Sequence, residues 1–166
     1  MKKARDEKKV ENHIILYYGN PYIDNRSGQL WVRTYMDIGE VIPVGKLVYQ
    51  FEHYENSGMA FSLFQGYARL FGVVALVFIL LILYYRHKGE IQGRLMNVGA
   101  SFLVGGAAGN MVDRFLRGTV TDFLKFSEEG GILNFADVAL NVGVLLFIAG
   151  AGLDWLRSRR VQRPHF

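Results

Sequence analysis

The chain has 166 residues, 51% of them apolar, with 19 Lys and Arg against 15 Asp and Glu, a net charge of +4 and no Cys. The length suits one compact unit, and the lack of Cys excludes disulfides, thiolate metal sites and a cysteine nucleophile. The basic residues flank apolar runs instead of forming a stripe with interleaved aromatics, so a membrane is favoured as partner and nucleic acid is excluded.

The N-terminal MKKARDEKK is basic, but no apolar core of a signal peptide follows it. Residues 1–29 form a polar segment with turn-like YGNPY and DNRSG, in which no element is predicted. From residue 29 to 66 short apolar patches such as LVYQF alternate with polar residues and predict strands. Three uncharged segments follow, Leu70–Tyr85, Leu95–Val112 and Val138–Leu153. Each lies near the short end of the roughly 17–25 residues that cross a bilayer as a helix. The alternative, helices buried in a soluble α protein, leaves little amphipathic surface in so short a chain. The expected fold class is mainly α: an integral membrane helical bundle with three clear spanning helices and a small extracytoplasmic β-rich portion. Residues 30–160 are expected to form this membrane domain, and residues 161–166 a basic tail.

The stretches RHKGEIQGR (86–94) and RSRRVQR (157–163) are basic and are expected on the cytoplasmic side, which places residues 114–137 outside. In the second apolar segment Ser101, Gly105 and Gly109 recur every four residues, a spacing that lets helix backbones approach closely. Gly105 and Gly109 are therefore read as structural support.

Polar residues then cluster at one boundary. Asn110, Asp113 and Arg114 share a helix face if the second helix continues that far. Asp122 follows a turn at Gly118, and Asp137 opens the third apolar segment with Asn134 just before it. Each has a structural reading. Asp113 and Arg114 would close the helix end as an ion pair. Asn134 would cap the last helix, and Asp137 would favour its dipole. Asp122 would be a solvated loop residue. Taken together, two aspartates converging on one boundary suggest a carboxylate pair sharing one proton. One member would activate a water and the other protonate the leaving amine. His13, His53, His87 and His165 are scattered, and no metal-ligand spacing occurs, so neither metal nor cofactor is expected.

The blocks NSGMAFSLF (56–64), GGAAGNMVDRFLRGTVTDF (105–123) and NFADVALNVG (134–143) resemble, in order and spacing, the signature blocks of lipoprotein signal peptidase, the type II signal peptidase of bacteria. The resemblance runs from about Leu30 to Arg160. It implies an aspartyl protease of the inner membrane, active near the outer face, that removes signal peptides from prolipoproteins just before a diacylglyceryl-modified Cys. It implies catalytic roles for Asp122 and Asp137. Asn56, Asn110, Arg114 and Asn134 would hold and orient the substrate, and Asp113 would give structural support. Prolipoproteins and membrane lipids are the implied partners, and a monomer is expected. The family has four spans where three are legible here. Asn25 and Gln29 stand nearest to the Asp and Lys of its D-Q-x-x-K-x-W-V block. Two other functions compete: a non-catalytic relative that binds lipoprotein or lipid, and a small transporter or channel subunit, which would need its polar residues spread along a pore. Residues 126–133, FSEEGGIL, read equally as a lid over the site or as a plain surface loop.

Overall fold

The computed structural model describes residues 25–45, 48–58 and 63–161. The expectations for the polar segment before residue 25, including the lack of a spanning helix there, and for the tail from residue 162 lie outside the described residues.

The first described element is a helix, α1 (Asn25–Tyr35), which crosses the expected boundary at residue 29. Strands were expected between residues 29 and 66; they form at Val41–Pro43 and Gln50–Asn56, but the stretch up to Tyr35 is helical, which corrects the expectation there. Trp31, Val32 and Met36 recur with the helical period, and all three are buried. They pack with Phe51, Phe123 and Leu124 into a core between α1 and a sheet. Gly28 permits the approach, since a Cβ there would lie 2.8 Å from the Phe123 ring. The sheet holds β1 (Val41–Pro43), β2 (Gln50–Asn56), β3 (Val120–Lys125) and β4 (Ile132–Leu133), in that spatial order. All neighbouring pairs are antiparallel. Pro43 ends the edge strand β1, where a missing N–H costs least.

Three long helices carry the rest: α2 (Ala68–His87), α3 (Arg94–Arg117) and α4 (Phe135–Val161). Within Ala68–His87, Arg94–Arg117 and Phe135–Arg159, stretches of 18 residues have mean hydropathies of 2.3, 1.3 and 1.9, long and apolar enough to cross a membrane. The expected mainly α bundle with a small sheet is therefore what the chain forms. Leu70, Val74, Leu80, Leu116, Leu145 and Ile148 are exposed on these helices, as lipid-facing side chains would be.

The glycine expectation needs correction. A Cβ on Gly105 would meet nothing within 4 Å, and a Cβ on Gly109 would make only ordinary contact with Ala136. Ser101 and Gly105 are both exposed. The close approach uses Gly99 and Gly106 on α3, and Gly143 and Gly150 on α4. A Cβ on Gly106 would lie 2.6 Å from the Ala136 carbonyl oxygen, and one on Gly143 2.9 Å from the Leu103 backbone nitrogen. A seven-residue interval closes two helical turns almost exactly on one face, whereas steps of four drift off it by about 40° each.

α3 ends at Gly118, whose φ of 75° is left-handed and whose N–H donates to the Arg114 carbonyl at 3.2 Å. This glycine stop turns the chain directly into β3. The sheet thus stands over the end of the bundle where α3 finishes and α4 begins.

Candidate active site

Asp122 lies in β3 and is buried, at 3% exposure. The reading of it as a solvated loop residue is therefore corrected. Its Oδ2 accepts from Asn56 Nδ2 at 3.0 Å, across the β2–β3 pair, and its Oδ1 accepts from Asn134 Nδ2 at 2.7 Å. Asn134 is the N-cap of α4: its Oδ1 accepts from the N–H groups of Ala136 at 2.8 Å and Asp137 at 3.1 Å. Asp137 answers through its Oδ2, which accepts the Asn134 N–H at 3.1 Å. This is a capping box with Asp at the third helical position. Asp137 Oδ1 accepts from Asn110 Nδ2 at 2.8 Å, and Asn110 Oδ1 accepts from Asn134 Nδ2 at 3.2 Å. Two asparagine amides, one from α3 and one from the α4 cap, thus join the two aspartates, and a third, Asn56 from β2, holds Asp122 alone.

Burial pushes the Asp122 pKa up, the nearby Asp137 charge adds to this, and the Asn134, Asn56 and Arg114 donors only partly oppose it; the value rises to about 7.

The expected Asp113–Arg114 ion pair does not form. Adjacent helical residues point about 100° apart. Asp113 Oδ1 instead lies 3.9 Å from Arg33 Nη2 and 3.9 Å from Arg117 Nε. Arg114 turns to the other side, where its Nη2 donates to the Gly58 carbonyl at 3.2 Å. Gly58 in turn donates its N–H to Asn56 Oδ1 at 2.9 Å. Arg114 therefore braces the segment that holds Asn56. Of the block beginning at Asn56, residues 59–62 lie outside the described residues.

A cavity of about 700 Å³ is lined by Asp122, Asp137, Asn56, Asn110, Arg114 and Asn134 together. Asp113, Gly105 and Gly109 are not among its lining residues. The cavity continues along β2 past Tyr54 to Glu52, Lys125 and Glu129, and along α4 to Leu140 and Asn141. Glu129 falls in the loop 126–133 considered as a lid; sequence reasoning did not single out the others. Period-two alternation from Asn56 would have found Tyr54 and Glu52. Asn141, one helical turn after Asp137 in an otherwise apolar span, was visible as an intramembrane polar residue. Among the described residues no group of His, Asp and Glu is arranged to hold a metal.

Three helices of spanning length with two amide-linked aspartates at one end, Asp122 buried and Asp137 half-buried, fit an integral membrane enzyme. The family described as Signal peptidase (SPase) II matches residues 23–152. A lipoprotein signal peptidase of Shouchella clausii is 35% identical over 133 residues, covering 80% of this chain and 87% of that one. One from Fusobacterium nucleatum is 37% identical over 133 residues, covering 79% and 80%. Two solved structures of bacterial membrane enzymes, both obtained by the in meso method, share the fold. The first has a TM-score of 0.72 at 26% identity and 85% coverage of both chains. The second has a TM-score of 0.66 at 29% identity, covering 75% of this chain and 83% of that one. The chain belongs to the signal peptidase II family and is a protease of the membrane.

Proposed function

We propose that the protein is an aspartic endopeptidase that removes signal peptides from diacylglyceryl-modified prolipoproteins, cutting just before the lipidated Cys. Family membership supports the substrate class. The observation that carries the chemistry is the pairing of Asp122 with Asp137 through Asn134 and Asn110 in one cavity.

In this reading the active dyad holds one proton, carried on Asp122 below about pH 7. Asp137, ionised, takes a proton from a water whose oxygen attacks the scissile carbonyl carbon. Asp122 gives its proton to the carbonyl oxygen, producing a tetrahedral diol. Asp137 then gives its proton to the leaving amine nitrogen as the C–N bond breaks, and Asp122 recovers one from a diol hydroxyl, which restores the starting dyad. Asn56, Asn110 and Asn134 hold the carboxylates in register, and Arg114 steadies the Asn56 segment while supplying positive charge. Asp113 supports the site from behind, through Arg33 and Arg117.

The site faces the outside of the bacterial inner membrane. The support for this side is the basic connection 86–94 and the basic end of α4, both at the opposite end of the bundle from the cavity. The lipid chains and signal helix occupy apolar space between the spanning helices. The mature segment leaves over Tyr54 towards Glu52 and Lys125. The protein works as a monomer in contact with membrane lipids.

The test is cleavage of a diacylglyceryl-modified prolipoprotein by purified protein in detergent, read as a gel shift. The parent should cut, and Asp122→Asn and Asp137→Asn should insert normally and not cut. A well-folded parent that binds the substrate without cutting it would transfer the reading to a non-catalytic relative.

A further inference from the structure

The β2–β3 ladder has two faces. Tyr54 stands opposite Asp122 and Asn56 opposite Val120, while Glu55 stands opposite Thr121. Side chains alternate along a strand, so Asn56 and Asp122 look into the cavity while Glu55 and Thr121 look away from it. On that rear face the polar contacts are dense. Glu55 Oε2 accepts from Thr119 Oγ1 at 2.6 Å, and Glu55 Oε1 accepts from Thr121 Oγ1 at 2.5 Å. The His53 ring bridges Glu55 Oε1, at 3.1 Å from Nε2, and the Met36 carbonyl, at 2.9 Å from Nδ1. Arg33 Nε donates to Thr121 Oγ1 at 2.5 Å and lies 3.6 Å from Glu55 Oε1. Gln29 Nε2 donates to the Thr121 carbonyl at 3.3 Å. The residue immediately before Asp122 is thus held through both its hydroxyl and its carbonyl.

We propose that Glu55 is a positioning residue for Asp122, acting through Thr121 and Arg33 to pin the register of the two strands that carry Asp122 and Asn56. This rests on the reading of Asp122 as catalytic.

The ladder needs such a pin at this point. The register shifts between Phe51 and Tyr54, so the regular pairing is interrupted directly beside the Tyr54–Asp122 pair. A bulge loosens and twists a strand pair locally. Tyr54 and Asp122 form the first pair beyond the irregularity and Glu55 and Thr121 the second, one residue from both Asn56 and Asp122. A half-buried ionic cluster such as this one adds little net stability, but its directional hydrogen bonds fix a register that apolar contacts would let slip. Burial acts to raise the Glu55 pKa, yet Thr119, Thr121, His53 and Arg33 together outweigh it and hold the pKa below its usual value. Glu55 is therefore an ionised acceptor wherever the enzyme works near neutral pH. Arg33 extends the pin to Asp113 of α3, the helix that carries Asn110.

The experiment compares parent, Glu55→Ala, Glu55→Gln, Thr121→Val, Thr121→Ser and Asp122→Asn, all full-length in detergent, with kcat, KM and thermal midpoint measured on each. A misplaced carboxylate affects the chemical step more than substrate capture. Glu55→Ala should lose on the order of tenfold to a hundredfold in kcat, with KM little changed. Glu55→Gln, which keeps one acceptor oxygen, should recover most of that loss. If Glu55→Ala does not fold, Thr121→Val decides: it should lose kcat where Thr121→Ser, which keeps the hydroxyl, retains more. Parent-like kcat in folded Glu55→Ala or Thr121→Val overturns the proposal. So does a loss that Gln and Ser fail to relieve. Cleavage by Asp122→Asn would instead overturn the reading of the dyad on which the proposal rests.

Discussion

Asn134 donates to Asp122 at 2.7 Å while its own side-chain oxygen caps the helix that begins with Asp137. One residue thus serves the helix end and the carboxylate pair, through opposite ends of one amide. The two services are separable. Asn134→Ser keeps a good capping group but is too short to reach Asp122, whereas Asn134→Ala loses both. Asn134→Ser should therefore hold near-parent thermal stability with a kcat loss of at least about tenfold. Asn134→Ala should lose about 1 kcal/mol more in stability. Equal stability losses in the two variants, measured by thermal unfolding in detergent, would show that the cap contributes nothing.

The raised Asp122 pKa, about 7, sets a pH dependence. The dyad needs its single proton, so kcat should fall on the alkaline side with a midpoint near 7, approaching tenfold per pH unit beyond it. Stability carries the same signature. Between the ordinary aspartate value of 3.8 and about 7 the folded state keeps a proton that the unfolded chain releases. This group's contribution is thus fully present below 3.8 and is lost as pH rises through about 7. The full span is on the order of 4 kcal/mol. The thermal midpoint of the parent should drop from pH 5 to pH 8 more than that of Asp122→Asn. Parallel slopes would contradict this account.

Arg114 opposes the upward shift of Asp122. Removing its charge in Arg114→Gln should move the alkaline limb of the rate profile to higher pH, because the proton is then held more tightly. Arg114→Lys keeps the charge and should leave the limb near the parent position. It should still lower kcat/KM on the order of tenfold, since an ammonium does not reproduce the reach of Nη2 to the Gly58 carbonyl. A limb that stays put in Arg114→Gln would mean that its charge is not felt at Asp122.

The helix contact yields a paired prediction. Gly106→Ala places a methyl 2.6 Å from the Ala136 carbonyl oxygen and must push α3 off α4 next to the dyad, whereas Gly105→Ala meets open space. Gly106→Ala should cost about 1–3 kcal/mol. Gly105→Ala should be neutral or stabilise by up to about 1 kcal/mol. Thermal midpoints of the two variants compare them directly, and the opposite order would restore the four-residue stripe.

The three spanning helices were legible in the sequence because crossing a membrane depends on a local property, an uninterrupted run of apolar residues long enough for the bilayer. The glycine stop at Gly118 and the Asn134 cap were legible for the same reason: both act within a few residues of themselves. The three blocks around Asn56, Asp122 and Asp137 carried the family resemblance. Helix α1 was not legible, because Trp31 and Val32 suit a strand as well as a helix and only packing against Phe51 and Phe123 selects between them.

What the sequence determined by itself was thus the membrane architecture and the residue types of a carboxylate chemistry. Tertiary structure alone decided which partners those residues have. It turned Arg114 to Gly58 and Asp113 to Arg33, moved the helix contact from Gly105 to Gly106, and set Glu55 behind Asp122. Each of these depends on helix rotation or strand register, where one residue is worth about 100° or a change of face. Only the packing of elements far apart in the chain fixes those quantities.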